Sequence, residues 1–447
     1  VIEDFPEHLR PYTDEQIPAA MQRIAAHRYF PDVAAMIFPG ITPAEAIRKV
    51  LEVKTVHQFQ MEWMYAFNKR VIDSTMESFT YHFSPGIRPD VGYLYISNHR
   101  DIILDTSLLQ MVFVDQGLPT SMITYGDNLI VNQLADDLAR SNKMFKVVRQ
   151  GNKRELFKNS VLLSEFLRSC IRQGDSCWIA QRNGRTKDGL DKTAPALVKM
   201  MGMSGMRGAA GDANAADGRI AAGDAAAAGG GLNDLVKNYA ALNIVPVAIS
   251  YEYESCDFLK TKELLAAQNA PDGKTYIKDE DEDLISMITG ISQWKGEVHI
   301  HVCDPLTREE LEACVESAGH STSEQMQSGS SEPFSSKLTG CCAGRHGGQD
   351  VNAFATNLCA LIDSKIRHNY KCFPSNYIAY DMLHGSSTHK NQYTDQDKAA
   401  FLKRLEALPQ KVFGSNADEA LPEVLKEAQH IFLKIYANPV RRSAAHT

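Results

Sequence analysis

The chain has 447 residues, 44% of them apolar and 23% charged, which is the profile of a globular protein large enough for two or three packed units. A formal net charge of −8 argues against a nucleic-acid partner and gives no overall attraction to an anionic membrane. No apolar run reaches the roughly 18 to 20 residues of a spanning helix, and nine scattered cysteines without a C-x-x-C pair fit reduced thiols better than a disulfide framework or a zinc site.

In chain order, residues 1–85 read as a helical region. Thr13 or Asp14 caps a first helix, and Thr42-Pro43-Ala44-Glu45 is a capping box with proline at the first helical position. A third helix is predicted over about 55–78, with Phe59, Met61, Trp63, Met64, Phe67 and Val71 as its apolar stripe. From Val91 the pattern alternates strands and helices, an α/β domain over about 86–310. Strands are predicted near 92–97, 119–124, 144–149, 176–181, 244–252 and 296–303. A basic helix is predicted near 153–172. Two segments without apolar periodicity interrupt this order, an Ala/Gly-rich one at 204–231 and a Ser/Gly/Gln-rich one at 317–350. Both read as flexible insertions, since they bury too little to offset the entropy of ordering. Residues 351–447 then read as a helical C-terminal region.

The chemistry concentrates in Asn98-His99-Arg100-Asp101-Ile102-Ile103-Leu104-Asp105, between an apolar strand and a helix start. Imidazole titrates near neutrality, and a carboxylate partner fixes its tautomer and stabilises the imidazolium, so His99 reads as a general base. Either Asp101 or Asp105 is the orienting carboxylate. His99-Arg100-Asp101 also spells the kinase triplet H-R-D, but Thr106 stands where the kinase loop needs asparagine and no D-F-G follows. His299 and His301 alternate on one strand face, a pattern read as a polar face in the absence of a third ligand, so no metal is expected.

The block Asn98 to Asp105 resembles the first signature of the glycerolphosphate and lysophosphatidate acyltransferase superfamily, usually written N-H-x-x-x-x-D. Three further blocks similar to that superfamily follow in order: Met144 to Arg149; Trp178 to Gly189, where the superfamily often has F-P-E-G-T-R; and Ile244-Val245-Pro246-Val247. The N-H-R-D-I-x-L-D form, and the stretch Asn369 to Asp381, are similar to a bacterial branch of acyltransferase-like proteins. Two departures stand out. The usual aspartate position is Leu104, with Asp105 one residue further on, and Asn183 replaces a glutamate.

The resemblance implies an α/β fold with a mixed central sheet flanked by helices and added helices at both ends. It implies an O-acyltransferase moving a fatty acyl group from acyl-CoA or acyl carrier protein to a phosphorylated glycerol or lysophospholipid, with no other cofactor. His99, Asp105 and Asp101 would be catalytic, and Asn98, Arg149, Asn183, Gly184, Arg185 and Pro246 would bind substrate. A catalytically silent lipid-binding or scaffold protein, and a thioesterase, are the alternatives. The expected location is cytoplasmic, with peripheral membrane contact. The chain begins at Val1 rather than methionine, so a targeting segment removed upstream would change that address.

Overall fold

The computed structural model describes residues 4–130, 132–148, 151–204, 232–270, 276, 279, 281–320, 347–419 and 421–443. Seven strands form one sheet: β1 (Ser78–Phe83), β2 (Leu94–Ser97), β3 (Met122–Gly126), β4 (Met144–Val147), β5 (Cys177–Ala180), β6 (Ile244–Tyr251) and β7 (Glu297–Val302). Their spatial order is β1-β7-β6-β2-β5-β3-β4. Only the β6–β7 pairing is antiparallel, so β6, β2, β5, β3 and β4 run one way while β7 and β1 run the other. The fold is α/β, with a mixed central sheet flanked by helices.

Every residue of β2 and of β6 is buried, as expected of parallel strands covered on both faces. Alternation along them sorts side chains into two cores. On one face, Tyr95, Val245, Val247, Ile249 and Tyr251 meet Leu108, Leu109, Val112 and Phe113 of the helix Leu104–Asp115. On the other, Leu94, Ile96, Ile244 and Ala248 join Phe166 and Leu167 of the helix Lys153–Arg172 and Phe354, Leu358 and Ile362 of the helix Gly347–His368. The helix Leu104–Asp115 is buried on all sides from Leu104 to Phe113, so it belongs to the interior and shows no amphipathic stripe.

The N-terminal helices Ile17–Ala26, Phe30–Ile37 and Pro43–Leu51 close a separate core around Trp63 and Phe59. The capping box at Thr42 and Glu45 is formed. The C-terminal helices Pro374–His384, Asp395–Glu406 and Pro422–Ser443 make a further core around Phe432 and Tyr436.

Three expectations need correction. Residues 1–85 are not wholly helical, because the predicted third helix ends at Thr75 and β1 follows. Alternating Phe79, Tyr81 and Phe83 carry a half-buried edge strand that pairs with β7. The segment 317–350 is helical at both ends, since Arg308–His320 and Gly347–His368 run into it, while 321–346 lies outside the described residues, as do 205–231. Strand β3 begins later than predicted, at Met122.

Leu109 is fully buried against the sheet, so Leu109→Ala should lower unfolding free energy by about 2–5 kcal/mol through lost transfer energy and a residual cavity. Urea denaturation followed by circular dichroism checks the value.

Candidate active site

Residues Asn98 to Asp105 leave the carboxyl end of β2, at the centre of the sheet, where β5 and β6 end beside it. Crevices at the carboxyl ends of parallel strands are the usual ligand sites of open α/β sheets. The two aspartates divide their work. Asp101 Oδ1 accepts from the amides of Ile103 (2.9 Å) and Leu104 (2.8 Å), satisfying donors at the start of the buried helix, and its Oδ2 accepts from the Ser255 hydroxyl. Asp105, in the first turn, faces His99: its Oδ2 lies 2.8 Å from Nδ1. The same oxygen accepts from the amides of Arg100 (2.6 Å) and Asp101 (3.0 Å), and Oδ1 accepts from the Tyr251 hydroxyl (2.9 Å).

Asp105 has no exposure, whereas the His99 side chain keeps 13%. An acceptor carboxylate at Nδ1 makes that nitrogen the donor and leaves Nε2 with its lone pair. The Trp178 ring stands edge-on to the imidazole at 6.0 Å and is held by its Nε1 donating to Ser97 Oγ at 3.0 Å. Tyr251 was missed in the sequence. The signal was there, since period two puts it on the same strand face as Val245, Val247 and Ile249.

Arg100 is not a surface cation but a fully buried one. Its Nη2 donates to Asp191 Oδ2 and its Nη1 to Glu254 Oε1, both at 2.6 Å, and its guanidinium lies 5.2 Å from the Tyr370 ring centroid. Lys260, also buried, donates to Glu254 Oε2 at 2.6 Å. Asn98 is spent on architecture: its Oδ1 accepts from Ile249 N (2.8 Å), and its Nδ2 donates to Ile249 O (2.9 Å) and Asp191 Oδ2 (3.1 Å).

The loop after β5 is tied to the histidine by Thr186 N donating to His99 O at 2.7 Å. Arg185 in this loop is more than nine-tenths buried, and its Nη1 has no hydrogen-bond partner among the described residues. Asn183 is exposed. Gly184 has a φ of +75°, the left-handed region that favours glycine, and a Cβ there would meet no protein atom within 4 Å. Pro246 lies buried inside β6, opposite Ile96, with its carbonyl accepting from Cys303 N at 3.1 Å. Arg149 lies outside the described residues. In the basic helix, Arg168 is turned inward to the carbonyls of Met201 and Asn238.

His299 and His301 do share a face of β7, and His82 of β1 stacks on His301 with ring centroids 4.2 Å apart. Among the described residues no cluster has the geometry to hold a metal ion, and no helix is long and apolar enough to cross a membrane.

No protein-family model matches this chain, and no curated protein does. Among solved structures the chain is similar to the crystal structure of the 1-acyl-sn-glycerophosphate (LPA) acyltransferase, PlsC, from Thermotoga maritima. The identity is 11% and the TM-score 0.32, over 79% of this chain and 96% of that one.

Behind Asp101, Lys295 has no exposure; its Nζ donates to Thr75 Oγ1 at 2.9 Å and to the Gln293 carbonyl. Burial pulls its ammonium down to about 8, with Asp101 pulling the other way. Because the folded value lies below the ordinary one, the unfolded chain binds more protons between about pH 8 and 10.5, and stability rises with pH across that window. Lys295→Met should flatten this rise, which thermal melts of both proteins from pH 7 to 10.5 will measure.

Proposed function

We propose that the protein is an O-acyltransferase that moves a fatty acyl group from an acyl thioester, acyl-CoA or acyl carrier protein, to a hydroxyl of a phosphorylated glycerol or lysophospholipid. The observation that carries this reading is the pairing of His99 Nδ1 with a fully buried Asp105, which leaves Nε2 to act as base. In the reaction the acceptor hydroxyl attacks the thioester carbonyl as Nε2 takes its proton. The tetrahedral intermediate then collapses, the carbon–sulfur bond breaks, and the imidazolium returns the proton to the thiolate. No enzyme nucleophile is needed, which agrees with a chain that has no G-x-S-x-G elbow.

Arg185 supports a phosphorylated acceptor. A buried guanidinium with an open donor favours an anion, and its fork matches phosphate oxygens. The order of the four sequence blocks supports the same substrate class. Asp101 serves the start of the helix and stabilises the loop rather than the ring.

Thiol release from a panel of acyl-CoAs, with and without lysophosphatidate or glycerol 3-phosphate, tests the reading. Acceptor-dependent release is expected, and His99→Ala should reduce it about 10²- to 10⁴-fold. If no acyl-CoA and no acyl carrier protein thioester is turned over by well-folded protein, the proposal fails. Free fatty acid released without acceptor stimulation would make it a thioesterase instead. Arg185→Met should raise KM for the phosphorylated acceptor by roughly 10-fold or more, the cost of losing a charge-assisted contact, and leave KM for the thioester unchanged.

A further inference from the structure

Asp105 is the only side chain hydrogen-bonded to the His99 ring among the described residues, so whatever fixes Asp105 fixes the base. Three of its four donors come from its own loop: the ring itself and the amides of Arg100 and Asp101, all on Oδ2. These donors move with the loop and cannot hold it against the sheet. The fourth is different. The Tyr251 hydroxyl donates to Oδ1 from the end of β6, across 146 positions of sequence. Tyr251 has no exposure and belongs to the core that Val247 and Ile249 share with the helix Leu104–Asp115.

From this geometry we propose that Tyr251 is a positioning residue for His99, acting through Asp105: it clamps the carboxylate to the sheet and withdraws charge from it, so that the pair Asp105–His99 keeps its orientation and the ring stays available as a base. The consequence for rate rests on the acyl-transfer reading, whereas the chain Tyr251–Asp105–His99 does not. Burial, followed by the neighbouring Asp105, Asp101 and Glu254, holds the phenol well above its ordinary range, so it stays a neutral donor at every pH at which a histidine titrates. The charged groups around the clamp are Asp101 from the loop and Glu254 beyond the end of β6, the latter neutralised by Arg100 and Lys260. Tyr251 differs from the residues that hold the loop backbone. Asn98 pins it through Ile249, and Arg100 through Asp191 and Glu254, so the loop keeps those ties when the hydroxyl is removed.

Removing the hydroxyl leaves Oδ1 without its donor and concentrates negative charge on the carboxylate, which strengthens the bond to Nδ1–H and favours the imidazolium. The test is Tyr251→Phe in the full chain, read by three measurements. The His99 Nδ1 proton resonance should move downfield. The acid limb of the kcat/KM profile should move up by roughly one pH unit. At its plateau kcat should fall about 10-fold with KM for the thioester unchanged. A lower melting temperature or a lower kcat, with resonance and acid limb both unmoved, would mean that Tyr251 only packs, and the proposal would be overturned. A moved resonance in a protein that turns over no thioester would uphold the clamp and sink the acyl-transfer reading. Should the phenylalanine variant not fold, 3-fluorotyrosine at position 251 keeps the shape and makes a stronger donor. The resonance and the acid limb should then move the opposite way, and no movement would overturn the proposal.

Discussion

A guanidinium with no access to water must be neutralised where it lies, and the architecture around the candidate site follows from that demand at Arg100. Its partners come from places far apart in the sequence: Asp191 from the loop after β5, Glu254 from beyond β6, and the Tyr370 ring from the segment after the helix Gly347–His368. Glu254 in turn neutralises buried Lys260. Two cations and two carboxylates thus close on one another with almost no solvent. Replacing such a cluster by apolar residues can be neutral, but removing one member strands a charge at a cost of about 3–5 kcal/mol. The interaction therefore specifies geometry more than it adds stability. It decides that three distant segments meet behind one loop.

What they meet behind is the strand-to-helix junction that presents His99. The loop is secured on each side by a different kind of bond. Asn98 is stitched to the backbone of Ile249, Thr186 donates to the carbonyl of His99, and Asp101 satisfies the first amides of a helix that water cannot reach. Cys256, with a φ of +61°, turns the chain after β6. That turn sets Ser255 against Asp101 and places Asp257 where Arg404 and Tyr436 of the C-terminal helices bind it. The C-terminal region is thereby fastened to the same turn that flanks the site.

Much of this was legible in the sequence, because its causes are local. The largely apolar runs of β2 and β6, the alternation in β7 and the strand-to-helix junction at His99 all follow from side-chain period and burial. Whether Asp101 or Asp105 faces the ring was not legible, since it turns on where the helix begins, and one residue rotates a helical side chain by about 100°. Arg100 looked like one charge among many, for nothing within ten residues reveals that Asp191 and Glu254 will surround it. Strand β1 was overlooked although Phe79, Tyr81 and Phe83 alternate with the period of a strand, because the predicted third helix was carried to residue 78 over its first residue. At Gly184 the backbone imposes its own demand, a φ of +75° that favours glycine.

The pairing of β1 with β7 has a consequence for how the chain is made. Thr80 and its partner His299 are 219 positions apart. At about 5–20 residues per second, a ribosome needs roughly 10–40 s to supply β7 after β1 has been synthesised. Strand β1 is the first strand of the sheet to leave the exit tunnel, yet it has no template until the last strand arrives. Its alternating Phe79, Tyr81 and Phe83 stay open to other chains for that interval, the kind of edge on which nascent proteins aggregate or recruit holding chaperones.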